Sequence, residues 1–128
     1  MADRDPVRVN EIWQVHPIPD PQGRNPKARP VVVLAASPPQ YVCVAVTSVS
    51  PPVGEAADFV ALPWSADGRA RTGLRKECWA FTAWVVELAE AAFQTKRGFC
   101  PGDRIIAIHR RIADRLDASN GDDGPADG

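Results

Sequence analysis

One arginine and two hydroxyls stand where two apolar segments begin and end. Arg29-Pro30 opens the run Val31-Val32-Val33-Leu34-Ala35-Ala36, and a second run, from Tyr41 to Val46, ends in Thr47-Ser48. The residues between the runs, Ser37-Pro38-Pro39-Gln40, are turn formers. Two strands joined by a short turn place Arg29, Thr47 and Ser48 at strand ends. A guanidinium is always charged and donates in a planar fork that matches a phosphate. Hydroxyls bond phosphate or ribose. Such a set suits a nucleic-acid backbone, either to hold it or to break it. Arg29 has a plainer alternative, pairing with Glu11 or with a carbonyl at the strand start.

Other residues extend this reading. Histidine is the usual acid or base near neutral pH, and His16 falls at the end of the first apolar segment, where a loop begins. Arg24 and Lys27 lie in that loop; Arg69, Arg71, Arg75 and Lys76 lie in and just after a second, and both loops can flank a groove and neutralise phosphates. Lys96-Arg97 is a smaller cluster. Of the four tryptophans, Trp13 and Trp79 read as packing residues. Trp64, within Leu62-Pro63-Trp64-Ser65, is the candidate for an exposed stacking contact. The three cysteines and two histidines lack metal-ligand spacing, so no metal or cofactor is expected.

The elements that must position these residues are mostly strands. Residues 11–16, 31–36, 41–48 and 58–63 read as strands, and 77–88 as a long strand or a bent pair. In the third of these, Tyr41, Cys43, Ala45 and Thr47 share one face, and Val42, Val44, Val46 and Ser48 the other. Residues 17–28 form a long loop with four prolines, a length more often functional than incidental. Residues 65–73 form a polar, basic loop. Pro101-Gly102-Asp103 starts a helix whose apolar stripe is Ile105, Ile108, Ile112 and Leu116, with His109, Arg110 and Arg111 off it. Short strands, Pro/Gly turns and one late helix predict a mainly β domain, a small barrel capped by a C-terminal helix.

Composition is that of one folded domain. The chain has 128 residues, 45% of them apolar, and no apolar stretch nears the roughly 20 residues that span a bilayer. The charged start, Met1-Ala2-Asp3-Arg4-Asp5, reads as lacking a signal peptide, and the odd cysteine count as lacking a disulfide framework, so a cytoplasmic location is expected. Net charge is −1, but residues 114–128 hold five aspartates against Arg115. The remainder carries 14 basic and 11 acidic residues, about +3. The expected organisation is an N-terminal extension at 1–8, a folded domain at 9–117 and a disordered acidic tail at 118–128.

The order of these features resembles the MazF/PemK (Kid) family of type II toxins. Glu11-Ile12-Trp13, Gln22-Gly23, Arg29-Pro30, Thr47-Ser48 and Thr72-Gly73-Leu74-Arg75-Lys76 follow one another as the family's motifs do, and Gly98 to Ile112 is similar to its closing helix. The resemblance covers residues 8–116. It departs at Asn10, where the family commonly has glycine or aspartate, and at Pro21, where an acidic residue is frequent. It departs again at Thr82-Ala83-Trp84-Val85-Val86, which replaces a polar stretch. The resemblance implies an SH3-like barrel and a metal-independent endoribonuclease acting on single-stranded RNA, leaving a cyclic phosphate and a 5′-hydroxyl. It implies that Arg29 stabilises charge and takes part in proton transfer, that Thr47 fixes the attack geometry and that Ser48 supports it. A homodimer and an antitoxin partner are implied too. Two alternatives stay open: a catalytically silent module binding nucleic acid or protein, and a gyrase-directed toxin of related fold.

Overall fold

The computed structural model describes residues 6–123, with side chains through residue 117. Its strands are β1 (Glu11–Ile18), β2 (Lys27–Ser37), β3 (Gln40–Thr47), β4 (Phe59–Leu62), β5 (Cys78–Ala89) and β6 (Phe93–Phe99), followed by one helix, α1 (Gly102–Asp123). The strands form one sheet in the order β4-β5-β3-β2-β1-β6, and every pairing is antiparallel.

Both faces of this sheet are covered, which explains why β2 is a continuous valine run rather than an alternation. Val32 joins Ile12, Val44, Leu74, Ile105 and Ile108 on the helix side. Its neighbours Val31 and Val33 join Trp13, Cys43, Ala45 and Trp84 on the other. Each fully buried valine contributes ~1.5–3 kcal/mol. The expected faces of β3 are observed: Tyr41, Cys43 and Ala45 enter one cluster, Val44 and Val46 the other. The turn closes as Ser37 pairs with Gln40. β5 is both long and bent. Between the pairs Val44↔Val85 and Val46↔Ala80, β3 advances two residues while β5 advances five, and the bulge turns the strand.

The structure corrects several expectations. The sheet has two edges, β4 and β6, so its ladder does not close into a barrel. Each edge is satisfied in another way. Arginines of α1 cap β4: Arg104 Nε donates to Ala61 O at 2.8 Å, and Arg111 Nη1 to Ala57 O and Phe59 O. Arg111, read from sequence as lying off the apolar stripe, is thus an edge cap. At β6 the backbone N–H of Phe99 donates to Arg71 O at 2.8 Å. β6 itself has no counterpart in the sequence reading. Only Phe93 of its seven residues is buried, so it shows no apolar alternation. Gly98 and Phe99 belong to this strand, and the closing helix starts only at Gly102.

The loop expected at 17–28 shrinks to 19–26, because β1 and β2 pair down to Ile18↔Lys27. The helix stripe holds through Ile105, Ile108 and half-buried Ile112, but Leu116 is 60% exposed and takes no part in the core. The helical backbone continues to Asp123, into the expected acidic tail, since each added residue of a formed helix gains one hydrogen bond. Residues 124–128 of that tail, and 1–5 of the expected extension, lie outside the described residues. Val7, within the expected extension, is buried in the Trp13 cluster.

Candidate functional site

The β2–β3 register carries the site. Continued two residues past Val31↔Ala45, it sets Arg29 opposite Thr47, both on the Trp13–Trp84 side of the sheet. At these strand ends a groove of about 390 Å³ opens, lined by Lys27, Arg29, Thr47, Ser48, Arg75 and Lys76 together with Val46, Leu74 and Cys78 of the helix-side cluster. Six residues singled out by type and spacing therefore meet at one place, although they come from two strands and two loops.

Arg29 is held firmly. Its Nε donates to Ile18 O at 3.0 Å and its Nη2 to Asn25 O at 3.2 Å, so the alternative of carbonyl pairing is realised and pairing with Glu11 is not. Its guanidinium lies 5.0 Å from the centroid of the buried Trp84 ring. A cation on a desolvated indole gains ~1–2 kcal/mol. Loop carbonyls and ring together fix the plane of the fork, and Nη1 has no protein acceptor among the described residues. Trp84 belongs to the segment that departs from the resemblance, and its ring supports the arginine rather than displacing it.

The loop that supplies the Asn25 carbonyl is itself ordered by Asp20. One carboxylate oxygen accepts from Gln22 N and Arg24 N, and the other from Asn25 Nδ2. Chiefly the Arg24 N–H, with Asn25 and Gln22, holds the Asp20 carboxyl below its usual pKa. Pro21 interrupts the expected motif, but the acid one position earlier organises the loop.

Thr47 Oγ1 accepts from Val49 N at 3.1 Å, which leaves its O–H free to donate outward. Ser48 is exposed at the groove rim. Cys78 also lines the groove, but burial pushes its thiol pKa up and it lies 3.1 Å from Lys76 O, so it is a packing thiol and not a nucleophile.

Arg75 and Lys76 are aimed by the motif before them. Thr72 is buried, donates to Pro63 O at 2.7 Å and accepts from Leu74 N at 3.1 Å. Leu74 enters the core, so the two residues after it emerge at the groove. Gly73 has φ +72°, and a Cβ there would stand 2.1 Å from Arg97 O. Only glycine fits such a position.

Other expected site residues lie elsewhere. His16 is exposed and does not line the groove. Arg24 is exposed on the 19–26 loop, and Arg69 is exposed and pairs with Asp67 at 3.4 Å; neither lines the groove. Trp64 is 45% exposed, as expected of a stacking residue, but does not line the groove either. Arg71 lines a second cleft.

Of the groove's polar lining, Gln14 was not read from sequence and Arg97 was read only as part of a small basic cluster. Gln14 faces inward opposite Pro30, and its Oε1 accepts from Arg97 Nη1 at 2.9 Å; Arg97 Nη2 donates to Gly73 O at 3.0 Å. The signal for Arg97 was only the weak Lys96-Arg97 cluster on an unrecognised strand. Among the described residues no group of three His, Cys, Asp or Glu side chains is placed to hold a metal ion. No helix among them is long and apolar enough to cross a membrane.

No protein-family model matches the chain, and no curated protein does. Solved structures do. A MazF from Deinococcus radiodurans superposes with TM-score 0.67 at 16% identity, covering 90% of this chain and 99% of the other. A MazE-MazF complex from the same organism gives 0.65 at 16%, covering 88% and 98%. The Mycobacterium tuberculosis toxin MazF-mt6 gives 0.59 at 14%, covering 82% and 96%. The open six-stranded antiparallel sheet with its single C-terminal helix is the fold of the MazF toxins.

Proposed function

We propose that this protein is the toxin of a toxin–antitoxin pair, an endoribonuclease that cuts single-stranded RNA without a metal. The observation that carries the proposal is the groove that Arg29 and Thr47 line together at the ends of β2 and β3, with Lys27, Arg75 and Lys76 around them. Fold neighbours include an endoribonuclease in complex with its cognate antitoxin from a mycobacterial species, which supports the antitoxin partner. A homodimer, with RNA bound along the cationic groove, completes the reading.

In the proposed reaction the RNA's own 2′-oxygen attacks the adjacent phosphorus. The new O2′–P bond forms as the P–O5′ bond breaks, the 2′-OH loses its proton and O5′ gains one. The products are a 2′,3′-cyclic phosphate and a 5′-hydroxyl. Arg29, its plane fixed by two carbonyls and Trp84, directs Nη1 at the phosphoryl oxygens. Preorganised donors of this kind need no rearrangement as charge develops. Thr47 donates its hydroxyl to phosphate or ribose and holds the attacking oxygen in line. The proton leaving the 2′-OH passes to solvent water and O5′ takes one from water, while Arg29, always charged, aids both transfers through its hydrogen bonds, the part in proton transfer that the resemblance implies.

One observation favours a second reading, a silent binding module. No imidazole or carboxylate is among the groove's lining residues, so the usual acid and base are missing. The two readings separate in one assay. Purified protein in EDTA is given a long single-stranded RNA and the same sequence as DNA. The enzyme cuts the RNA to fragments with 5′-hydroxyl ends and leaves the DNA intact, because the nucleophile is the 2′-hydroxyl. A silent module binds and leaves both whole.

A further inference from the structure

Arg97 lines two cavities. One is the groove of Arg29 and Thr47. The second, about 550 Å³, is lined by Arg71, Lys96, Arg97, Gly98 and Phe99. The positive strip therefore does not stop at the proposed cleavage site; it continues across β6.

The second cleft is built, not incidental. The Phe99 N–H donates to Arg71 O at 2.8 Å, which pins Arg71 beside the ring. Gly98 makes that approach possible, because a Cβ there would stand 2.0 Å from Arg71 O. Lys96 Nζ lies 4.4 Å from the Phe99 ring centroid and 2.9 Å from Glu11 Oε2. Glu11 thus neutralises Lys96, whose ammonium steadies one side of the ring. Phe99 remains 43% exposed, a large apolar surface on an otherwise polar edge strand. The cations left over are Arg97, fixed by Gln14 and Gly73, and Arg71, exposed with no side-chain partner among the described residues. An exposed ring that shares one cleft with two arginines offers what an unpaired base and its phosphate need.

We infer that the Arg71–Phe99 cleft is a flanking subsite, which takes one base on Phe99 and its phosphate on Arg71 from the same single-stranded RNA whose scissile phosphate lies at Arg29. This rests on the proposed RNA-cleaving groove and adds to it a length requirement and a direction of travel, over Arg97.

The test uses uncleavable 2′-O-methyl oligouridylates carrying fluorescein, a tetramer and a decamer, with binding read by anisotropy. The wild-type protein should bind the decamer about tenfold more tightly than the tetramer can account for by statistical sites alone. Arg71→Ala and Phe99→Ala should each remove most of that gain and leave tetramer binding as it was. Arg71→Ala should also lower the slope of log affinity against log salt by ~0.7, the loss of one phosphate contact on a single strand. Arg71 is exposed, so this variant tests the cleft without disturbing the core. If both variants bind the decamer like wild type while Lys76→Ala weakens both probes, the subsite is overturned and the groove stands. If Lys76→Ala also changes nothing, the groove reading fails and the subsite with it.

Discussion

At the scale of single residues, Arg29 is defined by what immobilises it. Ile18 O, Asn25 O and the Trp84 ring set its plane before any ligand arrives. Removing the ring should loosen the fork without removing the charge. Trp84→Leu is expected to lower the cleavage rate about tenfold, the equivalent of ~1.4 kcal/mol, with KM nearly unchanged. Trp84→Phe, which keeps an aromatic face, should recover much of the loss in single-turnover assays. Equal losses in both variants would mean that Trp84 only fills space. Glu11 is the other residue with a sharp prediction. It is 3% exposed and accepts from Trp13 Nε1, Lys96 Nζ and Arg8 N. Burial alone would raise its pKa, but those hydrogen bonds and the Lys96 charge outweigh burial and hold it below the usual value. The stabilisation is therefore present above the unfolded carboxylate's pKa, ~4.3, and is lost as pH falls through the lower folded value. Glu11→Ala should cost ~3 kcal/mol at pH 7 by leaving Lys96 and the indole N–H unpaired. Its stability should also fall less steeply on acidification than the wild type's, measured by urea titration from pH 7 to 3.

At the scale of elements, the motif Thr72-Gly73-Leu74-Arg75-Lys76 joins fold to site. Thr72 and Leu74 anchor it inside, Gly73 lets it pass the backbone of β6, and the two cations emerge at the groove. Gly73→Ala should destabilise the protein by roughly 3 kcal/mol in urea unfolding, from a disfavoured φ and a contact with backbone that cannot yield. A variant with an unchanged midpoint would show that β6 can move. This motif was legible in the sequence as an ordered string, and so were the valine strands, the bent β5 and the start of α1. β6 was not legible. An edge strand paired on one side has no need of apolar alternation, and Gln94-Thr95-Lys96-Arg97 shows none. Missing β6 left Arg97 as one of a small basic pair with no place at the groove. Basic residues were legible as a class, but only the fold could separate Arg75 and Lys76 at the groove from Arg69, tied to Asp67, and Arg24. His16 is eligible by type, yet it does not line the groove.

At the scale of the whole molecule, an open sheet of six strands is stabilised at its edges by arginines and a glycine-rich approach rather than by closure. The arrangement leaves the end of β2 and β3 as a cationic groove in a chain whose net charge is only −1. Binding of nucleic acid should therefore depend steeply on salt although the protein as a whole is not basic. A fold shared at 14–16% identity does not fix an activity, and the function rests on the groove's own geometry.

The most direct measurement is the cleavage rate of a long single-stranded RNA in EDTA by wild-type protein and by Arg29→Ala, each first shown to melt at the same temperature. The expected result is a loss of ~10²–10³-fold in the variant, the effect of removing one preorganised donor to a developing oxyanion. Equal rates in the two proteins, or no cleavage by a folded wild type free of any partner, would contradict the assignment of RNA cleavage to this groove.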